Sequence, residues 1–213
     1  MMNEKRQCEL YMRAGNSYGS WLLSADSLLA SARILYDNFD PCIDLPVGSE
    51  VPDRSKIFST IFLLYGFCIE CLFKCLWVKN GNNIVDNGKY IGIPGANDHK
   101  LHELADKVNF SLSGNERDAL ISLSVIITSS GRYPVSKCWS DTKIQRRQSG
   151  GFCSRATREG HHLELAENII SRIYKMLDFK YKEYKKANGA CNNPLQKTAQ
   201  LISGRSTMGQ DDA

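Results

Sequence analysis

Two residues of opposite charge lie inside the most apolar stretch of the chain. Glu70 and Lys74 interrupt the run at residues 61–78, and they are four positions apart with the acid first. This order places the carboxylate and the ammonium on one face of a helix, where they favour an ion pair. Because a buried charge must be paired, we expect the two side chains to satisfy each other, or a third group, in the interior or in a cleft.

Cysteine is the other residue type in this run that could do chemistry, and the chain contains eight cysteines. Cys68, Cys71 and Cys75 have helical spacing, which is typical of small buried side chains along a core helix. No arrangement of Cys and His matches a zinc finger, so we predict neither a metal site nor a cofactor. The first residues lack a signal-peptide pattern, and we therefore expect free thiols in a cytoplasmic protein.

The elements that must position these residues are predicted to be helices. Apolar periodicity indicates an all-α fold, a bundle of about five helices around the apolar central helix. The predicted helices cover residues 21–38, 55–79, 99–110, 113–131 and 158–186. Charges inside the central helix argue against a membrane span, because each costs roughly 2.5 to 3.5 kcal/mol at bilayer depth. The net charge of +4 permits a polyanionic partner without requiring one.

Prolines, glycines and capping residues mark the connections. The proline-rich residues 39–54 predict a loop, and the Gly- and Asn-rich residues 80–98 predict a second loop or a small hairpin that ends at the N-cap Asp98. Ser113 and Glu116 have the spacing of a capping box. The chain thus divides into an N-terminal arm at 1–14, a helical bundle at 15–187 and a flexible polar tail at 188–213.

Three segments of the chain together form a family pattern. They are YGFCIECLFKCLWVKNG on the central helix, HKLHELADKVNFSLSGNERDALISLS over the next two helices, and GRYPV after them. They resemble HEPN domains, the helical bundles of prokaryotic toxin–antitoxin and defence systems. The similarity spans residues 20–185 and is strongest over 65–135. The matching positions are Gly66, Glu70, Lys74, His99, Leu101, Arg132, Tyr133 and Pro134.

The resemblance implies a metal-independent endoribonuclease. HEPN ribonucleases use an Arg and a His separated by four to six residues, and here Arg155 precedes His161 and His162 with five and six residues between. An imidazole can move the proton of the 2′-hydroxyl or of the leaving group, while the guanidinium holds the scissile phosphate. Arg155 with one of the two histidines would therefore be catalytic, and a homodimer would bring two copies of the motif together.

The remaining candidate residues would bind RNA or shape a cleft. The basic glycine-containing segment before the last helix is typical of a mobile loop. The side chains expected to hold phosphates are Arg132, Lys143, Arg146 and Arg147. The residues expected to be structural or to line a cleft are Glu70, Lys74, His99 and Tyr133. His99 opens the third predicted helix, where an imidazole can cap or pack as readily as it can make a functional contact.

A non-catalytic bundle is the alternative. Ala156 stands where HEPN ribonucleases usually have a polar residue, and residues 137–139 contain no histidine to partner Arg132. These departures favour a HEPN bundle that binds a nucleotide or a protein partner such as an antitoxin. A purely structural helical adaptor is a third possibility.

Overall fold

The computed structural model describes residues 3–37, 53–130, 144–146, 152–154 and 160–187. Within these residues the chain is mostly helical, and the predicted all-α class is confirmed. The α-helices are α1 (Glu4–Gly15), α2 (Tyr18–Asp37), α3 (Asp53–Lys79), α4 (Leu101–Lys107), α5 (Gly114–Val125) and α6 (Gly160–Ala187). The chain forms two compact units, Met1–Lys175 and Met176–Ala213, and the second contains the C-terminal part of α6.

The central helix α3 forms the core of the first unit because its apolar run is buried on nearly every side. Its fully buried side chains include Ile61, Phe62, Cys68, Ile69, Leu72, Phe73 and Cys75. The stretch Phe58–Lys79 is long and apolar enough to cross a membrane by length and composition, but 72% of its window is buried within the protein. A core helix passes the same test, so one such stretch is a weak indication of a span.

The helix α2 packs along α3 through the stripe that the sequence predicts. Its buried residues are Leu22, Ala25, Leu29 and Ala32, which recur at steps of three and four. On another side of α3, Gly66 permits close contact with the π-helical turn Ile126–Ser130 that continues α5. A Cβ atom at Gly66 would lie only 2.3 Å from a methyl group of Ile127.

The residues expected to form an N-terminal arm contain the helix α1. Asn3 caps it by accepting a hydrogen bond from the backbone N–H of Lys5. Directly after α1, the side chain of Asn16 accepts from the N–H groups of Ile84 and Val85 and donates to the carbonyl of Val85 at 2.8 Å. These bonds join α1 to the hairpin formed by strands β1 (Val85–Asp86) and β2 (Lys89–Tyr90). The hairpin confirms one of the two alternatives for residues 80–98.

The two helices after the hairpin confirm one sequence prediction and correct another. The capping box of α5 is present, with reciprocal bonds between Ser113 and Glu116. By contrast, α4 begins at Leu101, and Lys100 is its N-cap residue. The predicted N-cap role of Asp98 is therefore wrong, and His99 precedes the helix rather than opening it. Asp98 instead accepts from the hydroxyl of Tyr90, which holds it away from the backbone amides of α4.

The last helix is joined to α5 by a guanidinium. Arg172 on α6 donates to Glu116 at 2.7 Å and to the carbonyl of Ser111, and its guanidinium lies over the ring of Phe110. Before α6, the segment expected to be a loop contains strands β3 (Ile144–Arg146) and β4 (Phe152–Ser154), which pair antiparallel. The predictions for the proline-rich loop, for Gly131 and for the polar tail lie outside the described residues.

Candidate functional site

The structure brings three of the predicted site residues into one polar cluster. Glu70 and Lys74 on α3 meet His99 from the segment that precedes α4. Most of the other predicted site residues lie in parts of the chain that the structure does not describe. Arg146 lies in β3, whereas Arg132, Tyr133, Lys143, Arg147 and Arg155 lie outside the described residues.

The ammonium group of Lys74 is the centre of this cluster, and the side chain is buried with 5% exposure. Its Nζ lies 2.6 Å from Oε1 of Glu70, 5.3 Å from the ring centre of Trp21 and 5.4 Å from that of Tyr90. Burial lowers the pKa of Lys74, but Glu70 and Tyr90 outweigh it and raise this pKa above its ordinary value. The prediction that Glu70 and Lys74 form an interior pair is confirmed.

The second oxygen of the Glu70 carboxylate binds His99. Its Oε2 lies 2.9 Å from Nδ1 of the imidazole, and the ring of Phe67 stands edge-on to His99. The His99 side chain is 39% exposed, so the imidazole is partly accessible to solvent. Because Glu70 satisfies groups on both of its oxygens, the contact orients the imidazole and also fastens the segment before α4 to α3.

Three further members of this cluster, Asp98, Tyr90 and Trp21, were not among the predicted site residues. Asp98 lies 3.6 Å from Nζ of Lys74 and accepts from the hydroxyl of Tyr90. Burial and the hydrogen bond to Asp98 raise the pKa of Tyr90 to about 12, although Lys74 acts in the opposite direction. Trp21 and Tyr90 come from α2 and from β2, far from Lys74 in the chain, so no local spacing could have identified them.

The two candidate catalytic histidines are neighbours in sequence but differ in exposure. His161 is exposed on the first turn of α6, whereas His162 is buried with 1% exposure. Their rings pack edge to face with centres 4.5 Å apart. A substrate that stays at the surface can therefore reach the imidazole of His161 but not that of His162. The catalytic assignment itself remains a prediction.

A cleft of about 480 Å³ lies between α2 and α6. Its floor is held by Glu167, which accepts from Arg33 at 2.7 and 3.0 Å and from the hydroxyl of Tyr65 at 2.6 Å. Burial raises the pKa of Glu167, but these bonds outweigh it and leave the pKa below its ordinary value. The complete lining is Arg33, Tyr36, Asp37, Tyr65, Leu163, Glu164, Glu167 and Asn168.

The position and charge of this cleft both bear on function. Glu164 and Asn168 follow His161 by three and seven positions on α6, so the three exposed side chains share one helix face. However, the cleft contains the carboxylates of Asp37, Glu164 and Glu167 against one guanidinium, that of Arg33. This excess of negative charge repels phosphate groups, so an RNA backbone is not expected to occupy the cleft itself.

Among the described residues, no group of three or more His, Cys, Asp or Glu side chains could hold a metal ion. A scan against family models, a search of curated proteins and a search of solved structures each found no match to this chain. Its function is therefore inferred from its own residues and from the pattern of the three segments quoted above.

Proposed function

We propose that the chain is a HEPN-like protein of a toxin–antitoxin or defence system that cleaves RNA without a metal ion. The observation that carries the proposal is the exposed position of His161 on the first turn of α6. The spacing to Arg155 places an arginine shortly before that turn in sequence, as in the ribonucleases of the family. An all-α fold is compatible with this assignment.

In the proposed reaction His161 is the acid–base group. Its imidazole accepts the proton of the attacking 2′-hydroxyl or donates one to the departing 5′-oxygen, so that no metal-bound water is needed. Arg155 neutralises the scissile phosphate, and a bidentate contact from its guanidinium would also orient that phosphate. The residues proposed to hold the neighbouring phosphates are Arg132, Lys143, Arg146 and Arg147.

The burial of His162 separates the roles of the two histidines. Because the His162 ring packs against that of His161, we assign it the task of positioning the reacting imidazole rather than of touching RNA. Substitution of His162 should lower activity through misplacement of its neighbour. Substitution of His161 should remove the acid–base group itself, which typically contributes a hundredfold or more.

A non-catalytic bundle that binds a nucleotide or a protein partner is the second candidate. The negative charge of the cleft between α2 and α6 favours a protein partner, because the carboxylates of Asp37, Glu164 and Glu167 line the cleft and repel phosphate groups. In that case the cleft, rather than the histidine, is the functional feature. An antitoxin or another protein partner with basic side chains would suit its charge.

The test is cleavage of total RNA by the purified chain in excess EDTA. We expect the wild-type chain and a His102→Gln variant to cleave, since His102 lies on α4 outside the proposed site. A His161→Gln variant should lose activity by about a hundredfold or more while its affinity for RNA is nearly unchanged. Cleavage that requires magnesium, or that survives in the His161→Gln variant, would contradict the proposal and favour the binding module.

A further inference from the structure

The outward face of α2 carries an uncharged seam with one acidic end. Six exposed residues form this seam, which we call the α2 seam: Ser20, Leu23, Ser27, Ala30, Ile34 and Asp37. They recur at steps of three and four, and at 3.6 residues per turn they fall within about 100° of the helix surface. Leu23 and Ile34 are the two most exposed large hydrophobic side chains among the described residues, at 68% and 64%.

The α2 seam has nearly the same succession of residue types when it is read from either end. Its members pair about a point midway between Leu28 and Leu29, so that Ser20 corresponds to Asp37, Leu23 to Ile34, and Ser27 to Ala30. The outer residues are polar, the next are large and apolar, and the central ones are small. A surface with this symmetry complements a second copy of itself turned end for end, as a twofold axis requires.

The charges at the two ends of α2 also favour an antiparallel partner. The first turn of α2 contains no acidic residue and its last turn contains no basic one, so neither end of the helix dipole has a compensating charge. Asp37 lies at the C-terminal end, where a negative charge is unfavourable in its own helix. In an antiparallel pair, each Asp37 lies beside the N-terminal turn of the other α2, where a carboxylate is stabilising.

The backbone of α2 can also approach another helix closely along this face. Ser27 and Ala30 are small residues at the centre of the seam, and the hydroxyl of Ser27 donates to the carbonyl of Leu23 at 3.0 Å. A hydroxyl bound in this way does not need water as its acceptor, so covering it has a low cost. Alternating steps of three and four are the spacing of helices that pack as a left-handed pair.

We propose that the α2 seam is the interface of a homodimer in which two α2 helices pack antiparallel. Each Leu23 contacts Ile34 of the other copy, and Ser27 and Ala30 meet at the twofold axis. The interface extends about 25 Å along the helices, from Ser20 to Asp37. Since Asp37 also lines the cleft between α2 and α6, the first turn of the second copy's α2 would border that cleft. The proposal does not depend on RNA cleavage.

Sedimentation velocity of the full chain over a wide concentration range tests the proposal. We expect the wild-type chain to be a dimer. A Leu23→Asp variant or an Ile34→Lys variant should weaken the dimer by about thirtyfold or more, because an unpaired charge would be buried against an apolar side chain. A Leu10→Asp variant on α1 is the matched control, since Leu10 is also an exposed apolar residue but lies outside the seam.

The double variant Leu23→Asp with Ile34→Lys tests the direction of the two helices. In the antiparallel pair each new aspartate faces a new lysine, so the double variant should recover most of the dimer that each single variant loses. In a parallel pair like charges would meet and no recovery would occur. Circular dichroism should show that all variants remain folded, since both positions are exposed. A monomeric wild-type chain, an unchanged Leu23→Asp dimer, or a folded double variant that stays monomeric overturns the proposal.

Discussion

The imidazole of His99 lies 2.9 Å from the carboxylate of Glu70, although 29 positions separate the two residues. This contact ties the segment before α4 to the central helix α3. The same carboxylate binds the buried ammonium of Lys74 through its other oxygen. Loss of Glu70 would therefore affect two partners, of which one is almost completely removed from water.

A Glu70→Leu variant should lose about 3 to 5 kcal/mol of unfolding free energy, because it leaves the Lys74 ammonium buried without its closest carboxylate. Urea denaturation followed by circular dichroism measures this loss. The double variant Glu70→Leu with Lys74→Met removes both charges and should recover most of it.

The exposed pair of Lys100 and Glu103 provides the control for this experiment, since its two side chains are 51% and 34% exposed. A Glu103→Ala variant should cost only about 0 to 1 kcal/mol. Equal losses in Glu70→Leu and Glu103→Ala would contradict the assignment of Glu70 to the interior of the bundle.

The stability of the fold should fall with mild acid because of His102. Burial lowers the pKa of His102 from its ordinary value of 6.5, although Glu103 acts in the opposite direction. The folded protein therefore holds this imidazole neutral, and the unfolded chain binds an extra proton as the pH falls through 6.5. The free energy of unfolding therefore decreases as the pH falls from 6.5 to the lower pKa of the folded state.

Urea denaturation of the wild-type chain and of a His102→Gln variant, at neutral and at mildly acidic pH, isolates this contribution. The wild-type chain should lose more stability than the variant over this interval. Glu116 and Glu167 also have lowered pKa values, but they destabilise the fold only at more acidic pH, as it falls below the ordinary glutamate value of 4.5. Identical pH dependence in the two proteins would show that the His102 imidazole is not desolvated.

Thiol reactivity should separate the exposed Cys8 from the other described cysteines, of which Cys68 and Cys75 are buried and Cys71 is half-buried. Burial raises the pKa of Cys71 to about 11 and that of Cys75 to about 12, and it raises the pKa of Cys68 further. Since the thiolate is the reactive form, iodoacetamide should label the exposed Cys8 well before these three. Peptide mapping by mass spectrometry gives the order in which the cysteines are labelled. In urea the difference between their labelling rates should disappear. Early modification of Cys68 in the native protein would contradict its burial.

The sequence predicted those parts of the fold that depend on neighbours within one or two helical turns. The spacing of Glu70 and Lys74 indicated an interior ion pair, and Ser113 with Glu116 indicated a helix start. Asp98 was misassigned because its residue type suits an N-cap, whereas the hydroxyl of Tyr90 decides its position. Local preference could not reveal that competition, since it depends on how the hairpin folds back onto α3.

In the candidate site, too, local features could be predicted from the sequence and tertiary contacts could not. The spacing that drew attention to His161 and His162 is local, and it could not distinguish an exposed imidazole from a buried one. Likewise, the hydrogen bond between Arg33 and Glu167 joins residues 134 positions apart, so no local sequence motif could predict it. The cleft lies between α2 and α6, and the two histidines differ in burial on one helix. Both features arise from helix packing, which a periodic pattern leaves open.

The amide of Asn16 has a consequence for the order in which the protein opens. None of the residues of α1 is buried, so this helix depends on the attachments at its C-terminal end. Its amides should exchange with solvent through local unfolding, at free energies well below that of global unfolding. Deamidation of Asn16 would replace the nitrogen that donates to the Val85 carbonyl by a second acceptor, and attraction would become repulsion. A single chemical change of ageing at this position would therefore loosen α1 from the hairpin, which Tyr90 still holds to Asp98 and Lys74, while leaving α3 and its partners folded.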